Sequence, residues 1–401
     1  MIKGRDIIVY GLQAWDFNIA STCKYTAIEM AKNNRVLYVN PPMQRSSALF
    51  QKNDPAIKKR LRINKGLEPD LVQEDNNLWV LYPRTVVESI NWIKSPAIFN
   101  FFNKINDKRY AREVKKNIEK LNFKNYILFN DNSMITGFYF KEMLKPTVFV
   151  YLLRDAVILV DYHKRHGSRL QPLIIEKADV AVANSDFFAY YCRQTNPNSH
   201  MIGQGCDLTL YNDEDGTLSV PDDLASIKKP IIGYVGFLTS IRLDIDVLVH
   251  IAEQRPEWSL VLVGPEDEDF ENSKLHNLSN AYFLGRKNPE ELAAYIKGFD
   301  VALNPQKVND ITDINYPLKI DEYLAMGKPT VATKTTFMEY FKDHTYLPVT
   351  KEDYITEIEK ALKEDSPELQ KDRIACAGEH TWENFVNKIY KYIEEIELTI
   401  K

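Results

Sequence analysis

The chain has 401 residues, a formal net charge of −5, 44% hydrophobic residues and 27% charged residues. At ~150 residues per domain this length predicts two or three domains, and the composition excludes a disordered or collagen-like chain. No apolar run reaches the ~18–20 residues of a membrane helix, the four cysteines form no CxxC pair, and the N-terminus lacks the apolar region of a signal peptide. We therefore expect a cytoplasmic protein without a zinc site or a disulfide framework.

Charge is unevenly distributed along the chain. Between Pro41 and Lys124 there are 17 Lys and Arg against nine Asp and Glu, so this segment carries +8 and the rest of the chain −13. A basic segment inside an acidic protein predicts an anionic partner for one part of the molecule only.

Short runs of β-forming residues alternate with amphipathic stretches along the chain. The predicted strands are 7–10, 36–39, 126–129, 148–153, 180–183 and 200–202, then 231–235, 259–263, 282–284, 301–304, 330–332 and 346–349. The predicted helices between and after them include 23–32, 173–177, 246–254, 289–297 and 381–400. This alternation is typical of parallel sheets covered by helices on both faces.

The pattern predicts an α/β protein with two Rossmann-like, doubly wound parallel-sheet domains facing a central cleft. Residues 1–211 are expected to form the first domain and residues 230–380 the second. The segment 212–229, with its Asp-Glu-Asp-Gly and Pro-Asp-Asp runs, is interpreted as a linker. Residues 381–401 are expected to form a terminal helix that packs back on the first domain.

The common phosphate-binding motifs are missing. The only GxG, Gly203-Gln-Gly205, has Leu208 in the place of the third glycine, and there is no GxxxxGK[ST]. A dinucleotide-dependent dehydrogenase and a P-loop hydrolase are therefore both excluded.

The second half nevertheless has the residues for a nucleoside diphosphate site. A strand ends at Gly236, and the loop after it carries Arg242 before a helix, which would supply free N–H groups and a cation to a pyrophosphate. Lys319 and Glu322 share one face at the start of a later helix. They pair a cation for phosphate with a carboxylate that accepts from ribose hydroxyls. The alternative for these residues is an ordinary solvated surface.

Five segments of the second half resemble the C-terminal domain of the retaining GT-B glycosyltransferases of family 4. They are IIGYVGF, PEWSLVLVGP, NAYFLGR, FDVALNP and NYPLKIDEYLAMGKPTVAT. The resemblance implies a GT-B fold and a donor site formed by Gly236, Arg242, Gly264, Arg286, Leu318, Lys319 and Glu322. In this reading Glu322 holds the ribose and Arg286 lies beside the base. Pro-Leu-Lys before the second Glu is similar to a branch related to teichuronic acid synthesis.

Two positions depart from the family pattern. Phe237 replaces the Arg that usually follows the glycine of the first loop, and Arg242 stands where the family has a Lys. Ile314 occupies the place of the first of two glutamates that lie eight residues apart in the family. Asp313 is therefore a candidate substitute for holding the sugar.

The first half offers fewer signals. Gly11 follows the first strand, where the resemblance implies a loop that faces the donor phosphates; it is a candidate donor-binding residue whose backbone could approach the substrate, or an ordinary turn glycine. Asp155 follows the strand 148–153 and His166 lies shortly after it, which makes both candidate catalytic residues together with Arg242 and Lys319. The basic segment combines aromatic residues with cations, and we assign it to membrane or acceptor binding, the alternative being a domain core with a solvated face. Its candidate residues are Trp92, Phe99, Phe102, Lys108, Arg109, Lys115 and Lys116.

Together these residues predict a bacterial cell-surface glycan glycosyltransferase. It would move a sugar from a UDP or GDP sugar to a hydroxyl of a lipid-linked or polysaccharide acceptor, with retention implied by the resemblance. No metal, no other cofactor and no nucleic-acid partner are expected, and an anionic membrane at the inner face of the plasma membrane is a further predicted partner. Two alternatives stay open, namely a nucleotide-sugar epimerase and an inactive nucleotide-sugar-binding scaffold subunit.

Overall fold

The computed structural model describes residues 2–17, 21–159, 161–213, 215–309 and 312–400. The chain divides into two compact units, one of Met1–Gly205 with Trp382–Lys401 and one of Cys206–Thr381. The first unit thus ends at Gly205, before the expected domain boundary at residue 211. The segment 212–229 belongs to the second unit, because Leu224 is buried there and Leu218, Val220 and Ile227 pack on the same core. These apolar residues are scattered among acidic ones, which is why the segment has no visible periodicity.

The first unit contains ten strands and eight α-helices within its described residues. In chain order they are β1 (Asp6–Gly11), α1 (Thr22–Ala31), β2 (Arg35–Val39), β3 (Met43–Gln44), α2 (Arg45–Phe50), α3 (Pro55–Asn64), β4 (Leu71–Asp75), β5 (Leu78–Leu81), β6 (Val86–Val87), α4 (Pro96–Lys120), β7 (Ile127–Asp131), α5 (Phe140–Leu144), β8 (Val148–Leu153), α6 (Asp161–Lys177), β9 (Val180–Ala183), α7 (Asp186–Arg193) and β10 (Ser199–Met201). The last helix of the chain, Trp382–Ile400, belongs to this unit and is labelled α15 below, after the helices of the second unit.

The main sheet of this unit has eight strands in the order β10-β9-β8-β7-β1-β2-β5-β4, and β3 pairs with β6 in a small separate sheet. All neighbours in the main sheet are parallel except β4 and β5. The order reverses between β1 and β7, so the carboxyl ends of these two strands border the crevice in which doubly wound sheets bind ligands.

The terminal helix packs on the core of the first unit. Phe385, Val386, Ile389, Tyr390 and Ile393 are buried in the cluster that also holds the inward residues of β1, β2, β7 and β8. Their spacing of three and four residues gives the helix one apolar face, and that face is covered here.

The second unit contains five strands and seven α-helices within its described residues. In chain order they are α8 (Asp222–Ala225), β11 (Ile231–Val235), α9 (Ile245–Gln254), β12 (Ser259–Val263), α10 (Glu268–Glu271), β13 (Ala281–Phe283), α11 (Leu292–Gly298), β14 (Val301–Asn304), α12 (Lys319–Ala325), β15 (Thr330–Ala332), α13 (Lys351–Glu364) and α14 (Pro367–Gly378).

Its sheet is entirely parallel, in the order β13-β12-β11-β14-β15. One apolar cluster lies on the face covered by α11 and α12, and another lies under α9 and α13. The unit is therefore doubly wound, as predicted. The expected strand 346–349 is wrong: Tyr346 forms only an isolated bridge to Val331, and the chain then leaves the sheet.

Candidate functional site

The strand order of the second unit reverses between β11 and β14. In a doubly wound sheet this is where the carboxyl ends of the strands border a ligand crevice. The loops after β11, β12 and β14 and the start of α12 supply the side chains at this edge.

Two glycines bring the loops after β11 and β12 into direct backbone contact. Gly236 has φ 139° and Gly264 has φ 154°, values that side chains rarely allow. A Cβ at Gly264 would lie 1.9 Å from the carbonyl oxygen of Gly236, so no larger residue fits there. The structure thus brings these two predicted residues together, and their lack of side chains leaves the edge open.

Lys319 reaches this pair of loops from the first position of α12. A Cβ built at Gly236 would lie 3.0 Å from Lys319 Nζ, and that atom is 5.2 Å from the centroid of the Tyr234 ring. In the described part of the chain no carboxylate forms an ion pair with Lys319. The ammonium group is therefore available to an anion.

Glu322 lies one turn further along α12 and is partly buried. Burial raises the pKa of its carboxyl group, while the charge of Lys319 and a hydrogen bond from the Tyr211 hydroxyl oppose that rise. A carboxylate has lone pairs for several donors, so Glu322 can accept from further groups such as hydroxyls. Tyr211 was not predicted, because it lies in a segment without periodicity.

The loop that carries Arg242 is hydrogen-bonded to the segment that follows β14. The amide of Lys307 donates to the Arg242 carbonyl (2.8 Å), and the amide of Asp244 donates to the Pro305 carbonyl (2.9 Å). The guanidinium is exposed, and among the described residues it has no ion-pair partner. The strand order thus places Arg242 at the same edge as Lys319.

One part of the predicted phosphate site is corrected. The first-turn amides of α9 do not point to an open anion site, because the Asp244 carboxylate caps them, accepting from Asp246 (3.1 Å) and Val247 (3.4 Å). The positive charge of this loop therefore comes from Arg242 rather than from the helix terminus.

The remaining predicted residues of this unit lie further out. Arg286 is exposed beyond β13, two strands away from β11. Leu318 is exposed immediately before α12. The Asp313 carboxylate accepts hydrogen bonds from the Thr336 amide (2.7 Å) and hydroxyl (2.8 Å). A sugar would have to displace or share those donors.

Beneath this edge lies a buried polar network that the sequence did not reveal. Asp321 accepts from Tyr316 Oη (2.7 Å) and lies 2.7 Å from His380 Nδ1, and His380 Nε2 in turn lies 3.0 Å from Tyr340 Oη. Burial raises the pKa of Asp321, and the partner His380 opposes that rise. The network holds the first turn of α12, which carries Lys319 and Glu322. The partners are 59 residues apart in sequence, so no local pattern could predict them.

In the first unit, the strand order places Gly11 beside Asp131 at the reversal point. A Cβ at Gly11 would lie 2.8 Å from the Asp131 carbonyl oxygen and 3.0 Å from Cys23 Sγ. Close packing therefore accounts for this glycine. Arg154 donates to the Asp131 carboxylate through Nε (2.8 Å) and Nη2 (3.2 Å) and also pairs with Asp155. Asp155 is half-exposed, and its carboxylate already forms an ion pair with Arg154.

His166 lies in the interior of the first unit. It is 1% exposed, its Nε2 lies 2.8 Å from the Ile93 carbonyl oxygen, and its ring stacks on Phe99. Burial lowers the pKa of His166. This placement gives His166 a packing role instead of the predicted catalytic one. His163, one turn earlier on α6, borders a cavity instead.

That cavity has a volume of about 210 Å³ and is lined only by residues of the first unit. Three neighbouring strands end at it, because Leu12 follows β1, Pro41 and Pro42 follow β2, and 133–136 follow β7. The structure therefore places a concave site at the reversal point of this sheet as well.

The basic segment forms an exposed surface around α4. Trp92 is 73% exposed and Phe102 is 39% exposed, and the cations Lys108, Arg109, Lys115 and Lys116 are exposed on the helix. Phe99 does not belong to this surface. It is fully buried against His166 of α6 and lines the cavity described above, so it does not contact a membrane, while its acceptor role stays a prediction.

No helix among the described residues is both long enough and apolar enough to cross a bilayer. The same residues contain no group of three or more His, Cys, Asp or Glu arranged to hold a metal ion.

Comparison with known proteins adds a family match for part of the chain. Residues 229–364 match the family described as glycosyl transferases group 1. Over 250 residues the chain is 26% identical to a protein of Bacillus subtilis (strain 168) named as the teichuronic acid biosynthesis glycosyltransferase TuaH. That alignment covers 59% of this chain and 62% of TuaH, which is less than two thirds of the relative's length.

Two solved structures show the same fold at low identity. Anabaena HepE, solved in complex with UDP, has a TM-score of 0.66 at 13% identity and covers 98% of this chain and 100% of its own. Sucrose-phosphate synthase from Thermosynechococcus elongatus has a TM-score of 0.64 at 15% identity, again covering 98% and 100%. Residues 229–364 are thus similar to the group 1 glycosyl transferases, and the chain as a whole has the fold of these solved structures, in agreement with the resemblance that the sequence motifs indicated.

Proposed function

We propose that the protein transfers a glycosyl group from a nucleoside diphosphate sugar to a hydroxyl group of a glycan or lipid-linked acceptor in bacterial cell-surface glycan synthesis. The second unit would bind the donor and the first unit the acceptor. The name of the TuaH relative supports the pathway class, and the UDP held by HepE supports UDP as the nucleotide.

One observation carries the donor site. Gly236, Gly264 and Lys319 meet at the reversal point of a doubly wound sheet, and the Lys319 ammonium has no ion-pair partner among the described residues. Glycine backbone beside a free cation suits a pyrophosphate, because the chain can approach the phosphates closely and the charge offsets theirs. Glu322, on the same helix, is placed to accept from the ribose hydroxyls.

The chemistry follows from the charge of the leaving group. The bond between the sugar's anomeric carbon and the phosphate oxygen breaks, and the nucleoside diphosphate leaves with the electron pair. The acceptor oxygen forms the new bond to that carbon, and its proton passes to the departing diphosphate. Lys319 and Arg242 would stabilise the developing diphosphate charge electrostatically. Retention of configuration and independence of a metal ion are part of the proposal.

The exposed surface around α4 supports the proposal that the protein acts at a membrane. Exposed aromatic residues beside several cations are the composition of a peripheral contact with an anionic bilayer. A lipid-linked acceptor would be reached from the inner face of the plasma membrane.

Thermal unfolding of the full chain against UDP, GDP, ADP, CMP and NAD tests the donor site. A ligand at ~100 times its dissociation constant adds ~2.7 kcal/mol of stability, which is a visible shift. Stabilisation by one nucleoside diphosphate and not by NAD is the expected result. Equal melting temperatures with all five ligands would count against a donor site in the second unit.

A further inference from the structure

A cavity of about 500 Å³ lies in the second unit, at the edge of the sheet opposite to the donor residues. Three neighbouring strands begin there, because Pro230 precedes β11, Asp300 precedes β14 and Pro329 precedes β15. Gly236 and Lys319 belong instead to the carboxyl-end edge of the same sheet. The proposed glycosyl transfer therefore gives this cavity no role.

Lys328 lines the cavity, and its side-chain nitrogen caps the end of α11. Nζ donates to the carbonyl oxygens of Lys297 (2.7 Å) and Phe299 (2.9 Å). The last carbonyls of a helix have no partner within it, so these two bonds satisfy acceptors that the helix leaves free. An uncharged amine has two N–H groups and one lone pair. The two carbonyls therefore accept all the N–H groups of the uncharged form and leave its lone pair for an electrophile.

The surrounding charges also favour the uncharged amine. Among the described residues no carboxylate forms an ion pair with Lys328, because Asp300 and Asp365 each bind another cation. Burial lowers the pKa of Lys328 from 10.5 to about 8. The charges of Lys229 and Lys297 act in the same direction, and those of Asp300 and Asp365 oppose it.

The free amine gives Lys328 a reactivity that ordinary lysines lack. At pH 7.5 about a quarter of the Lys328 side chains are uncharged, against about 0.1% for an ordinary lysine. Nucleophilicity falls with basicity, by about half a log unit per pKa unit for thiolates, which is less than the gain in uncharged amine. A lysine of lowered basicity beside a cavity is the usual form of a nucleophilic lysine.

The rest of the lining indicates which electrophile fits. Phe299 and Leu362 supply apolar surface, and the charged side chains besides Lys328 are two carboxylates, Asp300 and Asp365, against one cation, Lys229. An anionic reagent such as an acyl phosphate would meet this excess of negative charge. An uncharged acyl group on an uncharged arm, as in a thioester, would not.

We propose that Lys328 is a modification site at which an acyl thioester transfers its acyl group to the side-chain nitrogen. The Nζ lone pair forms the bond to the acyl carbon, and the carbon–sulfur bond breaks. The sulfur leaves with the electron pair and takes up the proton that the nitrogen releases, so the products are an amide and a thiol. The amide keeps one N–H group, so one of the two carbonyl oxygens at the end of α11 loses its donor.

Site-resolved acylation of the full chain tests the proposal. The probe is S-acetyl-N-acetylcysteamine, an uncharged acetyl thioester, applied at pH 7.5 and stopped at low conversion. Peptide mass spectrometry should find the acetylated fraction of Lys328 higher than those of Lys351 and Lys363, exposed on α13, by about threefold or more. An equal or smaller fraction at Lys328 would overturn the assignment. With acetyl phosphate the preference for Lys328 should shrink, and an undiminished preference would contradict the choice of an uncharged donor.

The pH profile separates an intrinsically reactive amine from a merely accessible one. Between pH 8.5 and 9.5 the acetylation rate of Lys328 should rise less than about twofold, because most of its side chains are already uncharged. Free Nα-acetyl-lysine in the same sample should react nearly tenfold faster over this interval. A parallel rise of the two rates would show that Lys328 is an ordinary lysine.

Variants of the cavity wall test the route to the nitrogen. Gln370 is an exposed lining residue of α14, and its Cβ lies 3.2 Å from the Cβ position of Gly327, next to Lys328. Gln370→Trp should cover the cavity and slow acetylation of Lys328 about threefold or more, and Leu362→Phe, on another wall, should act in the same way if the first variant does not fold. Lys371→Trp, on the same helix but outside the lining, is the matched control and should react like the wild type. Unchanged acetylation of Lys328 in both wall variants would contradict a reaction through this cavity.

Discussion

At the scale of single residues, Lys319 is the side chain on which the donor assignment depends most. Lys319→Ala removes an ammonium that lies against the Gly236 loop without an ion pair among the described residues. A hydrogen bond to a charged group contributes about 1.5–3 kcal/mol, so nucleoside diphosphate affinity should fall about 10- to 100-fold. Thermal unfolding with the best nucleotide of the panel measures the loss. Lys351→Ala, at the exposed start of α13, is the control, and an equal nucleotide shift in both variants would disprove the role.

Gly264 is a residue whose replacement should damage the fold itself. A Cβ there would lie 1.9 Å from the Gly236 carbonyl oxygen, so Gly264→Ala must push two loops apart. Overpacking of this kind costs about 1–3 kcal/mol, and the positive φ adds to it. Gly216→Ala is the matched control, because Gly216 also has positive φ but no atom within 4 Å of its Cβ position. Urea unfolding should show a clearly lower midpoint for Gly264→Ala, and equal midpoints would refute the close contact.

Asp107 should make stability depend on pH. Burial raises the pKa of its carboxyl group from 3.8 to about 7, against backbone hydrogen bonds from Gly137 and Tyr139. Between these two values the folded state keeps a proton that the unfolded state has released. The free energy of unfolding therefore has its full contribution from this group below the lower pKa. It falls by about 1.4 kcal/mol per pH unit between the two pKa values, and the contribution is lost once pH has risen through the upper one.

Asp107→Asn removes that titration. Urea unfolding between pH 5 and pH 7.5 should show the wild type losing more stability with rising pH than the variant does. Asp75→Asn, at the exposed end of β4 in the same unit, should behave like the wild type. Parallel pH profiles for wild type and Asp107→Asn would show that this carboxyl group keeps its ordinary pKa.

At the scale of elements, sequence reading succeeded where one face or both faces of an element are buried. The strands β8, β9, β11, β12, β14 and β15 begin and end where the apolar runs do, because these parallel strands are buried along their whole length. The edge strand β4 was missed, since its Gln73-Glu74-Asp75 end is exposed and polar. The run 346–349 has the composition of a strand but forms only one isolated bridge, from Tyr346 to Val331. Its pairing depends on the tertiary structure, which the local sequence does not show.

The candidate site was predictable to a similar degree. The residues around Lys319 lie in motifs that the sequence displays, whereas the orientation of the histidines on α6 depends on packing. His163 and His166 are one turn apart, and the fold turns the first to the cavity and the second under Ile93 and Phe99. The same applies to Phe99, which is buried although Ile98 beside it is exposed. Long-range pairs such as Asp321 and His380 leave no local signal.

The exposed face of α4 leads to a test of membrane binding. Each Lys or Arg near an anionic bilayer contributes ~1 kcal/mol, so Lys115→Glu with Lys116→Glu should remove at least ~2 kcal/mol, about a 30-fold loss of partitioning. Flotation with vesicles rich in phosphatidylglycerol measures it. Lys360→Glu with Lys363→Glu, on the exposed side of α13, changes the net charge equally. The same flotation for both pairs and the wild type would rule out docking through α4.

At the scale of the whole molecule, the proposed reaction must offset the charge of a departing nucleoside diphosphate. Many enzymes use a divalent metal ion for this, whereas here we propose that Lys319 and Arg242 supply the positive charge. Transfer from the nucleotide sugar chosen by the melting panel should therefore proceed at an unchanged rate after EDTA treatment. The Lys319→Ala variant should lose most of its turnover under the same conditions.

The chelator experiment also distinguishes a metal requirement of the wild-type enzyme from metal rescue of the Lys319→Ala variant. If EDTA abolishes turnover and Mg²⁺ or Mn²⁺ restores it, the proposal of metal independence fails. A metal that rescues Lys319→Ala without accelerating the wild type would instead show that the lysine supplies charge at the diphosphate. Release of free nucleotide without any acceptor product would favour the epimerase alternative. Acceptor-dependent nucleotide release in EDTA is the result that supports transfer with the charge supplied by the protein.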